Sequence, residues 1–319
     1  MTSVDWDLLI IGRSYTGLSA ALNLGRARRS VLVVGSGGAR NDAVFHVHGL
    51  LTRDGEAPGK IIETAERQLE KYPTIELVDD RVTALANVDG GFRVSIGKRT
   101  STAGMVILAT GVNDNPSPIP GLGDHWGRGV FTCPYCDGFE HGDMHLVLTG
   151  SPMFVPHMAR VLKGWSSRVT AFVGGLDEEI RTDLEAHGMR VDERPITRVN
   201  GDGNAVSSIE LDDGTDVAIG ALFFGELPIP NNALAVDLGC TTDENGYVVV
   251  DSMKRTTVSG GGRSAMSPAC VRTCRWRSPM ASSPPSTATP SCSIEIGTRR
   301  TEGPRSQSVR RHSSNVDLR

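Results

Sequence analysis

No apolar run in this 319-residue chain approaches the roughly 20 residues that a membrane span requires. The opening Met-Thr-Ser-Val-Asp-Trp-Asp carries acid where a secretory leader would carry base, so no leader is expected. Basic charge is scarce as well. The net charge is −4, and residues 259–319 hold ten Arg, no Lys and three acids, which leaves −11 on the first 258 residues. That part offers no footprint for nucleic acid. These absences point to a cytoplasmic protein, and its length suffices for two domains with their own cores. In the cytoplasm disulfides are rarely structural. Two cysteines spaced by two residues there suggest catalysis or metal.

The chain opens as strand, tight turn, helix, strand. Asp7–Ile11 is a continuous apolar run, as in a parallel strand buried on both faces. Leu18–Arg28 is rich in Ala and Leu and predicts a helix, and Ser30–Val34 a second strand. Residues 57–72 predict another helix; Ile75–Val78, Val82–Asn87, Phe92–Ile96 and Met105–Ala109 predict strands, with a hairpin signal at residues 89–91. A Pro-rich stretch at residues 116–120 has the composition of a domain crossing. A second start of the same kind comes next, with strand 144–149, helix 153–163 and strand 169–173. The expected fold is α/β with two Rossmann-like, three-layer modules.

Gly12-x-Ser14-x-x-Gly17, between the first strand and helix, matches the dinucleotide fingerprint except that Ser replaces its middle glycine. In that motif the glycines allow the turn, the approach of pyrophosphate and helix–strand packing, and the helix N-terminus offers N–H groups to the phosphates. An ordinary strand–helix turn is the alternative. The second strand ends in Gly35, where an acid usually holds the ribose.

Cys133-Pro-Tyr-Cys136 can close a small reversible disulfide, and such pairs commonly have one thiol acidified toward neutrality. Asp137 comes directly after and could move protons to and from the departing thiol. A zinc site would need two more ligands, and the other close pair, Cys270 and Cys274, lies in the basic tail. Glutaredoxins share the Cys-Pro-Tyr-Cys motif, but there it stands just after the first strand. Two inert buried thiols are the remaining alternative.

Together with Ala109-Thr110-Gly111 and Gly246-Tyr-Val-Val-Val-Asp-Ser-Met-Lys-Arg-Thr-Thr257, these motifs stand in the order found in the low-molecular-weight thioredoxin reductases, which the chain resembles from residue 4 to about 258. The resemblance implies an FAD domain in residues 1–115, an inserted NAD(P)H-like domain carrying the cysteines in 116–242, and a return to the FAD domain in 243–258. It implies that Cys136 lies nearest the flavin, that Cys133 exchanges with substrate and that Asp137 is the acid–base. Gly12, Ser14, Tyr15, Thr16, Gly17, Arg40, Asn41, His48, Gly49, Ala109, Thr110 and Gly111 would hold FAD. A homodimer acting on a small dithiol or disulfide, or on a thioredoxin-like protein, is implied too, with no metal.

The second module departs from the family pattern. Its fingerprint reads Thr149-Gly-Ser151-Pro-Met-Phe154, and after its second strand comes Val173-Gly-Gly-Leu-Asp-Glu-Glu179, acidic where a 2′-phosphate would need base. These changes argue against a strong NADPH site. Flavoproteins similar to dithiol oxidases keep FAD and the cysteine pair and pass electrons to O2; other relatives take electrons from ferredoxin.

The tail departs further. Residues 259–319 hold thirteen Ser, six Pro and one Leu, a composition that predicts disorder. With permitted GC-rich codons, another frame of Gly262–Ile296 reads Ala-Val-Gly-Asp and then an Ala-rich stretch, the family's expected Gly-Asp motif and helix. A frameshift near residue 260, leaving a degenerate flavoprotein remnant, is therefore the third expectation.

Overall fold

The structure is a computed structural model that describes residues 4–114, 118–260 and 263–266. Its first module comprises β1 (Trp6–Ile11), α1 (Tyr15–Arg26), β2 (Val31–Val34), α2 (Pro58–Leu69), β3 (Ile75–Val78), β4 (Val82–Val88), β5 (Gly91–Ile96) and β6 (Arg99–Leu108). β6, β1, β2 and β3 run parallel in that order. β4 and β5 form an antiparallel hairpin that continues onto the first half of β6. Alternate residues of β1 serve opposite faces. Leu9 and Ile11 join Phe92, Val94 and Val106 on one side. Leu8 and Ile10 join Leu18, Ala21 and Leu24 of α1 on the other. Both faces need apolar cover, so the run reads as continuous rather than alternating.

A short β7 (Val112–Asn113) leads into the second module. There β8 (Val130–Phe131), α3 (Pro134–Asp137), β9 (Leu146–Gly150), α4 (Val155–Leu162), β10 (Val169–Phe172), α5 (Glu178–Ala186) and β11 (Arg190–Asp192) precede an antiparallel trio, β12 (Ile196–Gly201), β13 (Val206–Leu211) and β14 (Asp216–Ala218), and then β15 (Ala221–Gly225). The parallel order is β11-β10-β9-β15-β8. β15 returns beside the central β9 as β6 does beside β1. Again one strand feeds two cores: Leu146 and Leu148 meet Val155, Met158 and Leu162 of α4, while Val147 packs with Ile209 and Leu222.

β16 (Ile229–Pro230) pairs antiparallel with β7, so the outgoing and returning chains run side by side. α6 (Ala233–Asp237) then sets Ala235 on the first module's core, with Leu238 and Cys240 just beyond it. β17 (Arg255–Gly260) and β18 (Arg263–Met266) complete the first sheet, β18 pairing parallel with β6. Residues 259–260 and 263–266, within the stretch expected to be disordered, are strand; residues 261–262 and 267–319 lie outside those described. A strand paired through its backbone on the open edge of β6 needs no side-chain alternation, which is why composition missed it. The second-frame reading otherwise falls on residues outside those described. α5, β12 and the one-turn α3 are likewise absent from the sequence pattern, because polar or short segments carry little periodicity. No helix among the described residues is long and apolar enough to cross a membrane.

Leu9 is fully buried at the centre of this sheet. Leu9→Ala is expected to cost about 2–5 kcal/mol, measured as a lower denaturation midpoint at unchanged slope.

Candidate active site

At the end of β1 the chain turns where no side chain fits. Gly12 has φ +118°, and a Cβ there would sit 2.1 Å from the carbonyl oxygen of Ala109. A Cβ at Gly17 would sit 1.8 Å from the Gly12 oxygen. The turn thus presses β1, the end of β6 and α1 together. Ser14 precedes α1 in extended conformation; its side chain makes no capping bond, and the first turn holds no acid. Tyr15 and Thr16 are half-buried on that turn. The amide of Asn41 donates to the Tyr15 hydroxyl at 3.4 Å, tying the loop after β2 to the start of α1.

The other residues expected near the flavin divide between two places. Thr110 donates through Oγ1 to the Asn231 carbonyl at 2.7 Å, and Asn231 returns a bond from Nδ2 to the Thr110 carbonyl at 2.9 Å. The N–H of Asn231 donates to the Gly111 oxygen at 3.1 Å. This clasp lies where the chain leaves and re-enters the first module. Arg40 makes a two-pronged bond to Asp114, at 2.8 and 2.5 Å. His48 lies against Glu140, three residues beyond Asp137, with Nε2 3.5 Å from Oε1. Gly49 donates its N–H to Asp54 at 2.8 Å. Asp114, Glu140 and Asn231 were not legible in the sequence; each is polar and unpatterned, and only the crossing chain brings it to the site.

Cys133 occupies the N-cap of α3, with Pro134 opening the helix and Cys136 in its single turn. Cys133 is partly covered and Cys136 exposed. The Cys136 thiol hydrogen-bonds the Cys133 sulfur, the N–H groups of Cys136 and Tyr135 point at it, and the Arg40 charge lies near; against the cost of burial these lower the Cys133 pKa to about 7. Asp137 moves the opposite way. Burial first, then the charges of Cys133 and Glu140, raise its carboxyl to about 7. A thiol brought down and an acid brought up in one turn can exchange a proton at little cost near neutrality.

Residues 6–260 match the family model described as pyridine nucleotide-disulphide oxidoreductase. The chain belongs to that family. It is 34% identical to the thioredoxin reductase tcpT of Claviceps purpurea over 267 residues, 79% of this chain and 83% of that protein. A probable thioredoxin reductase of Arthroderma benhamiae is 35% identical over 186 residues, 56% of this chain and 46% of that longer protein. The solved oxidoreductase from Agrobacterium tumefaciens is 40% identical, with a TM-score of 0.75 over 82% of this chain and 88% of that one. The resemblance to thioredoxin reductases and the α/β, Rossmann-type fold therefore hold, and the chain is an oxidoreductase of a flavoprotein family.

The first turn fits the FAD of this family. Gly12 and Gly17 leave the backbone bare, and the N-terminus of α1 meets no competing cap or acid. The acid usual at the end of β2 is absent for a packing reason: a Cβ on Gly35 would already lie 2.5 Å from the Arg13 side chain.

The matching turn of the second module does not fit a dinucleotide. Gly150, φ +127°, presses on the Gly225 oxygen as Gly12 presses on Ala109. Beyond it, however, the N–H of Ser151 donates to Gly225, and those of Phe154 and Val155 both donate to the Ser151 oxygen. Met153 donates to the Ser151 hydroxyl at 3.3 Å. The amides that would cradle phosphate are spent within the turn. α4 begins only at Val155, and α5 opens with Glu178 and Glu179.

The order of effects on Cys133 is testable by alkylating the reduced protein with iodoacetamide across pH. Half-maximal reactivity is expected near pH 7. Cys136→Ala should move it upward most, and Arg40→Gln upward by less.

Proposed function

We propose that the chain is an FAD-dependent thiol–disulfide oxidoreductase in which two electrons pass between a small dithiol, the Cys133–Cys136 pair and FAD, without NADPH. The observation that carries this reading is the α3 turn, where an acidified Cys133 stands beside a proton-holding Asp137. The spent amides of the second turn support the exclusion of NADPH. In this reading residues 1–115 and 243–258 form one FAD domain, residues 116–242 are inserted, and the partner is a second copy of the chain in the cytoplasm.

The steps derive from the residues. A substrate thiolate attacks Cys133 Sγ of the enzyme disulfide; the Cys133–Cys136 bond breaks and Cys136 leaves as thiolate. The substrate's second thiol passes its proton to ionised Asp137 and attacks its own sulfur in the mixed disulfide. Cys133 leaves, the substrate departs as a disulfide, and the enzyme holds two more electrons in its thiols. FAD, held at the Gly12–Gly17 turn and the start of α1, would supply the two-electron acceptor through which the enzyme disulfide is restored, with O2 as the final oxidant and hydrogen peroxide as its product. Asp137, now protonated, stabilises the Cys133 thiolate until the disulfide re-forms. The names of the fungal relatives favour a second reading, in which an external donor such as ferredoxin reduces FAD and a thioredoxin-like protein receives the electrons.

Purified protein should be yellow. Under anaerobic conditions dithiothreitol should bleach it, and NADPH at equal concentration should leave the spectrum unchanged. Rapid bleaching by NADPH overturns the cofactor assignment; colourless protein overturns the flavoenzyme reading in favour of a remnant. Turnover should fall below pH 7. There Cys133 gains a proton and Asp137 is no longer ionised to accept one from the substrate. Asp137→Asn should slow turnover about 10²-fold or more and abolish the dependence on the acid.

A further inference from the structure

We propose that His48 is a positioning residue for the redox turn: it clasps Glu140 and so keeps a carboxylate charge beside Asp137. The inference rests on the acid–base role proposed for Asp137.

The loop after β2 does more than approach the flavin region. It docks on the second module at three successive points. The backbone of Ala43 and Val44 lies against Gly127, where a Cβ would come within 2.7–2.9 Å of their carbonyl and amide atoms. The Arg128 guanidinium stands 5.1 Å from the centre of the Phe45 ring. Farthest along the loop, His48 meets Glu140 at 3.5 Å through Nε2, while Nδ1 faces Asp54 at 3.7 Å. Asp54 in turn accepts the N–H of Gly49 at 2.8 Å, which fixes it on the loop. The imidazole therefore lies between a carboxylate of its own loop and one belonging to the redox turn.

The turn itself is held firmly. Gly138 donates its N–H to the Pro134 oxygen at 2.8 Å, and His141 Nδ1 lies 2.8 Å from the Asp137 oxygen. The Glu140 side chain is 37% exposed. Without a partner it would be free to turn into solvent, where its charge is screened. Glu140 is the second of two charges that raise the Asp137 carboxyl, after Cys133 and after burial. Holding it in place thus favours the protonated acid. The other titratable or charged groups around Asp137 are few. α3 and its N-cap supply Cys133, Tyr135 and Cys136, and the segment after it supplies His141. Arg40 acts at Cys133 and is engaged by Asp114. On α4, which packs against α3, His157 and Arg160 are both exposed, and Arg160 is bound by Asp183.

The test uses oxidised full-length protein and dithiothreitol. The rate of Cys133–Cys136 reduction is read by acid quench and mass spectrometry, as the ratio of variant to wild type at each pH, with flavin absorbance recorded for every sample. Glu140→Gln should raise the rate about threefold at pH 6, where more of Asp137 is then ionised to take the substrate's proton, with little change at pH 8. His48→Phe should do the same to a smaller degree, and His48→Gln, which keeps a hydrogen-bond donor at the clasp, should restore the wild-type profile. Profiles of Glu140→Gln and His48→Phe that match wild type overturn the inference. So does a His48→Phe protein that loses flavin and slows equally at every pH, since His48 would then serve the flavin site alone. An Asp137→Asn protein with a wild-type profile overturns the acid–base reading instead, which separates the two failures.

Discussion

Everything at this site depends on the close approach of backbone to backbone at the ends of the central strands. Gly12 against Ala109 in the first module, and Gly150 against Gly225 in the second, bring the ends of neighbouring parallel strands into contact at a left-handed glycine. Once β1 and β6 converge there, α1 must leave at an angle that aims its N-terminus along the same edge. The second module solves the geometry in the same way around β9 and β15. The two turns differ in the residues just past the glycine. In the first, the Ser14 side chain makes no cap and its carbonyl accepts the N–H of Leu18 one turn on; in the second, Ser151 takes the N–H groups of Phe154 and Val155 on its carbonyl and that of Met153 on its hydroxyl. A pair of modules with one plan can lose one binding function with no change of fold, because the hydrogen bonds that would go to a phosphate go to the chain instead.

The second dependence is electrostatic and lies in five residues of sequence. Cys133 gains its acidity from the Cys136 thiol and the N–H groups of a helix one turn long. Asp137 closes that helix and gains its reluctance to ionise mainly from burial. Each charge opposes the other, so thiolate and carboxylate are not favoured together. The proton stays within the turn. Arg40, which favours the Cys133 thiolate, and Glu140, which favours protonated Asp137, push the proton the same way, and both meet the loop after β2: Arg40 belongs to it, and Glu140 is reached by His48. The loop therefore links flavin region and redox turn through charge as well as through packing.

Much of this was legible in sequence where one residue type answers one physical demand. The apolar run of β1, the hairpin at residues 89–91 and the glycines at 12 and 17 each have a single reading once burial on both faces, a two-residue turn or a missing Cβ is required. That Cys133, Cys136 and Asp137 come together was legible because they lie within one helical turn of sequence. Asp114, Glu140 and Asn231 were not. Asn231 meets Thr110 across 121 positions, and Asp114 meets Arg40 across 74; local pattern holds no trace of such partners. β18 was missed for a different reason, since a ladder of backbone bonds on the edge of β6 makes no demand on side chains.

His48 and Arg40 are expected near the flavin by sequence; in the structure His48 also meets Glu140 just past the cysteine turn, and Arg40 meets Asp114 where the chain leaves the first module. That changes what the loop after β2 contributes. A loop that only covered a cofactor would need shape complementarity to the cofactor and little else. This loop also sets Ala43 and Val44 against Gly127, a contact that any side chain at 127 would prevent. Close backbone docking of this kind fixes distance better than long side chains do. The cysteine turn is thereby held at one separation from the first module, and two-electron transfer through a thiol is sensitive to that separation.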